Sequence, residues 1–146
     1  MQNLMPPTMT GNIMKQTYHH IGIIGLGARG QQLAALIYSL MPEYGEVTAA
    51  ADWRENLVLP SDLTLNCPNL KIYKDSHELL INSAIDTVII TTYPETHMQI
   101  AMEAIEAGKA VLCDKPVTGS LDESVRLYDF VTSRPCRFAI GLNLPF

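Results

Sequence analysis

The chain has 146 residues, which leaves room for one domain with a hydrophobic core and hardly for two. It is 47% hydrophobic and 17% charged, a composition that indicates a soluble globular protein with a large buried fraction. The formal net charge is -5, so the basic surface that a phosphate backbone requires is lacking, and we expect no nucleic-acid partner. No apolar run approaches the roughly 18 residues that a membrane-spanning helix needs. We therefore expect a cytoplasmic protein without a membrane partner.

The amino-terminal segment differs from the rest of the chain. Residues 1–17 contain one charged residue, Lys15, and no apolar segment of the kind that a signal peptide needs. We expect a disordered leader at residues 1–17 and a single domain at residues 18–146. The three cysteines show neither a CxxC nor a Cys/His ligand spacing, which favours buried, reduced thiols over disulfides or a metal site; they are Cys67, Cys113 and Cys136.

From Tyr18 onward, short apolar runs rich in β-branched residues alternate with helical patterns, which is typical of βαβ units around a parallel sheet. The predicted strands cover residues 20–24, 47–51, 71–73, 87–91, 110–113 and 137–141. The first predicted helix carries apolar residues at the spacing of one buried face, and these are Leu33, Leu36, Ile37 and Leu40. Pro42 and Gly45 end it. The other predicted helices lie between residues 60 and 68, from about residue 75 to residue 81, over residues 96–107, and over residues 120–132.

A GxGxxG motif lies directly after the first predicted strand and directly before the first predicted helix. Its residues are Gly25, Leu26, Gly27, Ala28, Arg29 and Gly30. Gly25 permits a tight turn, Gly27 lets the backbone approach a pyrophosphate, and Gly30 allows the helix to pack closely on the strand. The helix N-terminus then offers unpaired N–H groups to the phosphates. The motif predicts the dinucleotide-binding turn of a Rossmann fold, a doubly wound and mostly parallel α/β sheet.

An acidic residue stands where such folds bind the adenosine ribose. Asp52 closes the second predicted strand, about 20 residues after the glycines, as the dinucleotide fingerprint requires. Its carboxylate can accept both ribose hydroxyls and would repel a 2′-phosphate, which favours NAD over NADP. Arg54 favours NADP instead, since a guanidinium there could pair with that phosphate. Trp53, next to Asp52, is also assigned to the cofactor site. The alternative role for Asp52 is to cap a turn without binding a ligand.

A second polar loop follows the central predicted strand at the edge where ligands bind in doubly wound sheets. It contains Thr92, Tyr93, Pro94 and His97, which we assign to the cofactor site. His97 would lie near the nicotinamide. The alternative is a structural histidine that forms hydrogen bonds at a helix start.

Together with Asp114-Lys115-Pro116 after the fifth predicted strand and the segment at residues 106–109, these motifs resemble the Gfo/Idh/MocA oxidoreductases. These enzymes are relatives of glucose-fructose oxidoreductase and inositol dehydrogenase, and the resemblance covers residues 18–146. In that family the tripeptide is usually Glu-Lys-Pro, often with a cis Lys-Pro bond. The resemblance implies that Lys115 is catalytic, orienting the substrate hydroxyl and relaying its proton. Its position at a strand's carboxyl end beside the dinucleotide crevice is compatible with that role, since partial burial would lower its pKa. The resemblance also implies that Asp114 contacts the nicotinamide ribose. The alternative for Lys115 is a solvated loop lysine.

The sequence departs from the family pattern at two positions. Asp114 stands in place of the usual glutamate and is shorter by one methylene group, and Pro145 stands where an arginine is expected. In the family a carboxyl-terminal substrate domain follows the sixth strand, and this sequence ends where that domain would begin. We therefore expect the chain alone to bind cofactor without turning over substrate.

The resemblance implies the cofactor-binding half of an NAD-dependent oxidoreductase that acts on a secondary alcohol of a sugar, cyclitol or related polyol. We expect the full-length enzyme to be a homo-oligomer. Two alternatives stay open: an NAD-dependent glycosidase of the same family, and a non-catalytic domain that senses NAD(H) by binding alone.

Overall fold

The computed structural model describes residues 17–82 and 84–141. The predicted leader, apart from residue 17, and the departure at Pro145 lie outside the described residues. Within the described ranges, no helix combines the length and the apolar character that crossing a bilayer demands.

Strands and helices alternate along the chain, and the strands form one parallel sheet. The strands are β1 (His19–Ile24), β2 (Gly45–Ala51), β3 (Lys71–Tyr73), β4 (Thr87–Ile90), β5 (Ala110–Asp114) and β6 (Phe138–Gly141). The helices are α1 (Ala28–Leu40), α2 (Ser61–Asn66), α3 (Ser76–Asn82), α4 (Pro94–Glu106) and α5 (Leu121–Thr132). All strand pairs are parallel, in the order β3-β2-β1-β4-β5-β6. This confirms the predicted Rossmann fold, in which the strand order reverses between β1 and β4.

The sheet has an apolar layer on each face. One layer joins β1 and β2 to α1 and α2, and it includes Ile23, Ala34, Ile37 and Leu63. The other joins β4 and β5 to α3, α4 and α5, and it includes Leu79, Val88, Ile90, Ala101, Ala104 and Leu127. The central strands are therefore covered on both faces, which explains why they appear in the sequence as continuous apolar runs.

The buried face of α1 differs from the predicted one. Leu36 and Leu40 are 41% and 67% exposed, so the prediction that they are buried was wrong. The buried residues of α1 are Gly30, Ala34 and Ile37. The close contact at Gly30 brings the face that carries Ala34 and Ile37 toward the sheet, so Leu36 and Leu40 lie on the exposed side of the helix.

Two predicted boundaries also shift. Gly45 does not end a helix but begins β2, where it lies opposite His19. A Cβ atom at Gly45 would lie 2.6 Å from the His19 carbonyl oxygen, so the absence of a side chain serves strand pairing. Helix α4 begins at Pro94, two residues earlier than predicted, because proline is favoured in the first turn, where its missing N–H is not needed.

The turn from β1 into α1 depends on two of its three glycines. Gly25 has a φ of +93°, and a Cβ atom there would lie 2.8 Å from the Thr92 nitrogen. A Cβ atom at Gly30 would collide with the Gly25 carbonyl oxygen, which also accepts a 2.6 Å hydrogen bond from the Thr91 hydroxyl. At Gly27, by contrast, an added Cβ would meet no atom of the described residues within 4 Å. Gly25 and Gly30 are thus required by packing, whereas Gly27 faces open space.

At the opposite end of the sheet, Asp86 connects β1 to the start of β4. Its Oδ1 accepts hydrogen bonds from His19 Nδ1 at 2.7 Å and from the Thr87 hydroxyl at 2.6 Å, and its Oδ2 accepts one from the His20 N–H at 2.8 Å. Burial opposes ionisation of this carboxyl group, but the hydrogen bonds outweigh it and hold the pKa of Asp86 below its ordinary value.

We expect Gly30→Ala to lower the free energy of unfolding by about 1–3 kcal/mol, because the new methyl group overlaps backbone that cannot move away. Gly27→Ala is the matched control, since its methyl group enters open space and should leave stability nearly unchanged. Urea unfolding followed by circular dichroism measures both. Equal stability of the two variants would contradict the close approach of α1 to β1.

The Asp86 contacts predict a pH-dependent contribution to stability. A carboxyl group whose pKa is depressed in the folded state stabilises above its unfolded pKa of about 3.9 and loses that effect as pH falls through its folded pKa. We expect Asp86→Asn to lower the free energy of unfolding by only about 0.5–1 kcal/mol at pH 7, because the carboxylate is 37% exposed. The difference from the wild type should shrink below about pH 4. Glu55→Gln, an exposed acidic residue, serves as control, and a difference that does not vary with pH would refute the assignment.

Candidate cofactor-binding site

The carboxyl ends of β1, β2 and β4 surround a cavity of about 520 Å³, at the point where the strand order reverses. Ligands of doubly wound sheets bind in this crevice. The predicted site residues that line the cavity are Gly25, Gly27, Ala28, Arg29, Asp52, Trp53, Arg54, Thr92 and Tyr93. The remaining predicted residues, all within the described part of the chain, lie outside its lining: Gly30, Pro94, His97, Asp114 and Lys115.

One side of this cavity is formed by residues that were not predicted from the sequence. Lys74, Asp75 and Ser76 follow Tyr73 at the end of β3 and line the cavity next to the end of β2. Because parallel strands end at the same edge of a sheet, any polar triplet after a predicted strand is a candidate. The predicted Rossmann fold places β3 next to β2, so the polar triplet after β3 was a signal that could have been used.

The start of α1 is arranged to accept an anionic group. Gly27 is the N-cap residue of α1, and no side chain in the described part of the chain caps this end with a hydrogen bond. The first-turn N–H groups of a helix lack intrahelical partners and carry a partial positive charge. The space over Gly27 is the volume that a side chain would fill. This cradle fits the pyrophosphate of a dinucleotide.

Asp52 lies at the end of β2 with its side chain only 4% exposed, and its carboxylate accepts four hydrogen bonds. Oδ2 accepts from the Leu26 N–H at 2.9 Å and from Arg54 Nη2 at 2.7 Å. Oδ1 accepts from the Arg54 N–H at 3.1 Å and from Arg54 Nε at 2.8 Å. The guanidinium of Arg54 therefore lies against the carboxylate that we predicted to receive the ribose hydroxyls.

These contacts keep Asp52 ionised. The side-chain hydrogen bond from Arg54 lowers the pKa of Asp52 most, and it outweighs the opposing effect of burial. The Leu26 N–H belongs to the glycine turn, so the carboxylate also holds that turn against the end of β2. Asp52 therefore also holds a turn in place, which is the alternative role considered for it from the sequence.

Arg29 and Asp114 form an ion pair between the start of α1 and the end of β5. Arg29 Nε donates to Asp114 Oδ2 at 3.2 Å, and Arg29 Nη1 donates to Gln32 Oε1 at 2.9 Å. The Asp114 side chain is 15% exposed. We assigned both residues to the cofactor site, and the family resemblance implied a nicotinamide-ribose contact for Asp114. The structure places their side chains in direct contact, which ties the glycine turn to the tripeptide after β5.

His97 is buried, with 1% of its surface exposed, and it bridges two loops. Nδ1 lies 2.9 Å from the Pro116 carbonyl oxygen and Nε2 lies 3.0 Å from the Thr92 carbonyl oxygen. Since a neutral imidazole has a single N–H, it can donate to one of these oxygens at a time. These contacts are those of the structural alternative, in which His97 holds the loop after β4 against the loop after β5.

Lys115 follows β5 at the same edge of the sheet as the cavity, and its side chain is exposed. The expectation of partial burial is therefore wrong for this structure, because the loop after β5 leaves the lysine at the surface. The Lys115–Pro116 peptide bond is cis, as the family resemblance implied.

The three cysteines lie outside the lining of this cavity. Cys67 and Cys113 are buried and Cys136 is partly exposed, and all three are free thiols. Burial raises the pKa of Cys113 to about 12, with the neighbouring Asp114 adding to the shift, so this thiol stays protonated at neutral pH. Among residues 17–82 and 84–141, no group of three or more His, Cys, Asp or Glu side chains is placed to hold a metal ion.

Known proteins share this sequence pattern. The chain is 34% identical over 106 residues to an uncharacterized oxidoreductase of Schizosaccharomyces pombe, a match that covers 73% of this chain and 28% of the relative. It is 27% identical over 128 residues to an inositol 2-dehydrogenase of Burkholderia multivorans, which covers 86% of this chain and 37% of that enzyme. The chain thus spans about a third of the length of these relatives.

A solved structure shares the fold. The scyllo-inositol dehydrogenase of Lactobacillus casei, solved with bound NAD(H) and scyllo-inositol, superposes with a TM-score of 0.70 at 22% identity. The match covers 86% of this chain and 36% of that one, and at this identity it shows the fold alone.

The sequence also matches a family model, described as an oxidoreductase family with an NAD-binding Rossmann fold, over residues 19–142. The matched region runs from β1 through β6 and includes the glycine turn, Asp52 and the tripeptide after β5. The protein therefore belongs to the NAD-binding oxidoreductases of the Gfo/Idh/MocA family.

Proposed function

We propose that this chain is the cofactor-binding domain, at residues 18–146, of an NAD-dependent oxidoreductase that acts on a secondary alcohol of a sugar, cyclitol or related polyol. One observation carries the proposal. The open space over Gly27 and the carboxylate of Asp52 line the same cavity, at the reversal of the strand order. A dinucleotide needs this pair of features, because one receives its pyrophosphate and the other its adenosine ribose.

Different residues along the cavity would bind different parts of the dinucleotide. The uncapped start of α1 would hold the pyrophosphate through backbone N–H groups, and Asp52 would hold the ribose hydroxyls. Thr92 and Tyr93 would border the nicotinamide end, since they follow β4 on the other side of the glycine turn. When bound, the nicotinamide supplies hydride transfer to or from the substrate carbon.

Lys115 is proposed to act on the substrate. Its position after β5, at the edge of the sheet that carries the cavity, lets an exposed and flexible ammonium group reach the reacting hydroxyl. There it would orient the hydroxyl through a hydrogen bond and, when the alcohol is oxidised, accept the hydroxyl proton as the neutral amine and pass it to solvent. The Arg29–Asp114 pair and the His97 contact with Pro116 would hold the backbone on both sides of Lys115 in place.

The substrate class is supported by the relatives. Several are inositol 2-dehydrogenases, and inositol is a cyclitol with secondary alcohols only. Because the chain spans about a third of such a relative, we propose that the substrate contacts and the homo-oligomeric assembly belong to the full-length protein.

The cofactor preference can be measured directly. We expect NAD(H) to bind more tightly than NADP(H), since Asp52 accepts ribose hydroxyls and repels a 2′-phosphate. Asp52→Ala should narrow the ratio of the two dissociation constants, and calorimetric titration of both cofactors tests this. Glu55→Gln, an exposed acidic residue after β2, controls for the loss of one negative charge. Tighter binding of NADP(H) by the wild type would reject the preference.

The role of Lys115 can be separated from cofactor binding. In the full-length protein, Lys115→Ala should lower kcat on a polyol substrate by about 100-fold or more, the effect typical of losing an acid–base group. NAD affinity should change little, because the pyrophosphate and ribose contacts involve other residues. Steady-state turnover on a polyol panel and NAD titration are measured in parallel. An unchanged kcat would remove Lys115 from the mechanism and favour the NAD(H)-sensing alternative.

A further inference from the structure

We infer that Arg54 is a specificity-determining residue that competes with the adenosine ribose for Asp52, so that NAD must displace its guanidinium to bind. The inference deepens the proposed function and rests on it. It assigns to one side chain opposite effects on the two cofactors. Arg54 weakens the binding of NAD and strengthens the binding of NADP.

The hydrogen bonds at Asp52 leave no acceptor site for the ribose while Arg54 is in place. A carboxylate offers about four lone-pair sites, and the four donors described above fill them. Two donors, the Leu26 and Arg54 N–H groups, belong to the backbone. The other two, Nε and Nη2 of Arg54, belong to one side chain and contact the two oxygens at 2.8 and 2.7 Å. The vicinal diol of the ribose presents the same arrangement of two donors. It can therefore take the place of the guanidinium, whereas the two backbone N–H groups stay where they are.

Solvent exposure indicates that Arg54, and not Asp52, moves when the ribose binds. The Asp52 side chain is 4% exposed and the Arg54 side chain is 42% exposed. The two backbone donors hold Asp52 in place, whereas the Arg54 guanidinium bonds, among the described residues, to Asp52 and, at 3.0 Å, to the Leu26 carbonyl oxygen. The departing guanidinium regains water easily because it is already partly exposed, so the exchange is reversible and weakens NAD binding only moderately.

The same guanidinium changes the response to a 2′-phosphate. While paired, it neutralises the carboxylate that would repel this group, and after displacement it is a cation next to the ribose. Asp52 and Arg54 therefore act in opposite directions on cofactor preference. Lys74 lines the same cavity but forms no hydrogen bond to Asp52 in the described part of the chain, so it provides positive charge without competition.

The test compares Arg54→Met with Lys74→Met by calorimetric titration of NAD and NADP into the full chain. Methionine keeps a long apolar stem and has no donor. Arg54→Met should lower the dissociation constant for NAD about fivefold, the scale of a partly exposed ion pair, and raise that for NADP. Lys74→Met also removes one positive charge, yet it should not tighten NAD binding. Without cofactor, Arg54→Met should melt at a lower temperature than the wild type, and NAD should raise its melting temperature by more.

Each other outcome overturns the inference in a distinct way. Weaker NAD binding by Arg54→Met would mean that the guanidinium contacts the cofactor directly, and equal tightening by Lys74→Met would mean that only charge matters. Arg54→Lys, which keeps the charge and a single donor group, should bind NAD with intermediate affinity, and it serves if Arg54→Met does not fold. If neither the wild type nor these variants bind either cofactor, the proposed function fails and the inference fails with it. If the wild type binds NAD and Arg54→Met binds it no more tightly, the inference alone fails.

Discussion

The contact between the Gly25 carbonyl oxygen and the backbone at Gly30 determines where α1 lies on the sheet. Because glycine has no side chain at this point, the first turn of α1 packs directly against the backbone at the end of β1. Thr91 completes the contact by donating to the same carbonyl from the end of β4. The crevice between β1 and β4 opens beside this turn, and every polar group proposed to meet the cofactor is placed relative to it.

A parallel sheet collects the residues that follow its strands at one edge, and in this protein side-chain hydrogen bonds connect the segments that meet there. Asp52, after β2, receives the Leu26 N–H of the glycine turn, and Arg29 of α1 reaches Asp114 at the end of β5. His97 joins the loops after β4 and β5. The loops around the cavity are therefore connected to one another as well as to the strands, which limits how far each can move without the others.

Opposed charges at the ribose end suggest how one fold adjusts its cofactor preference. A buried carboxylate alone would favour NAD, and an arginine alone would favour a 2′-phosphate. In this chain the two side chains contact each other, so each changes what the other can bind. A substitution at either position alters the pair, and its effect cannot be assigned to a single residue without its partner.

The sequence by itself determined the alternation of strands and helices, the glycine turn and the acid after β2, because these depend on local periodicity, on backbone freedom and on fixed spacing along the chain. It determined neither the buried face of α1 nor the pairing of Asp52 with Arg54 and of Arg29 with Asp114. Leu36 and Leu40 satisfy the helical period but are exposed, since the glycine contact rotates small residues toward the sheet. The Arg29–Asp114 pair joins α1 to the end of β5, so it depends on strand order and on the closeness of helix to sheet, which are properties of the folded chain. Asp52 and Arg54 are two residues apart, and their pairing depends on the path of the backbone after β2.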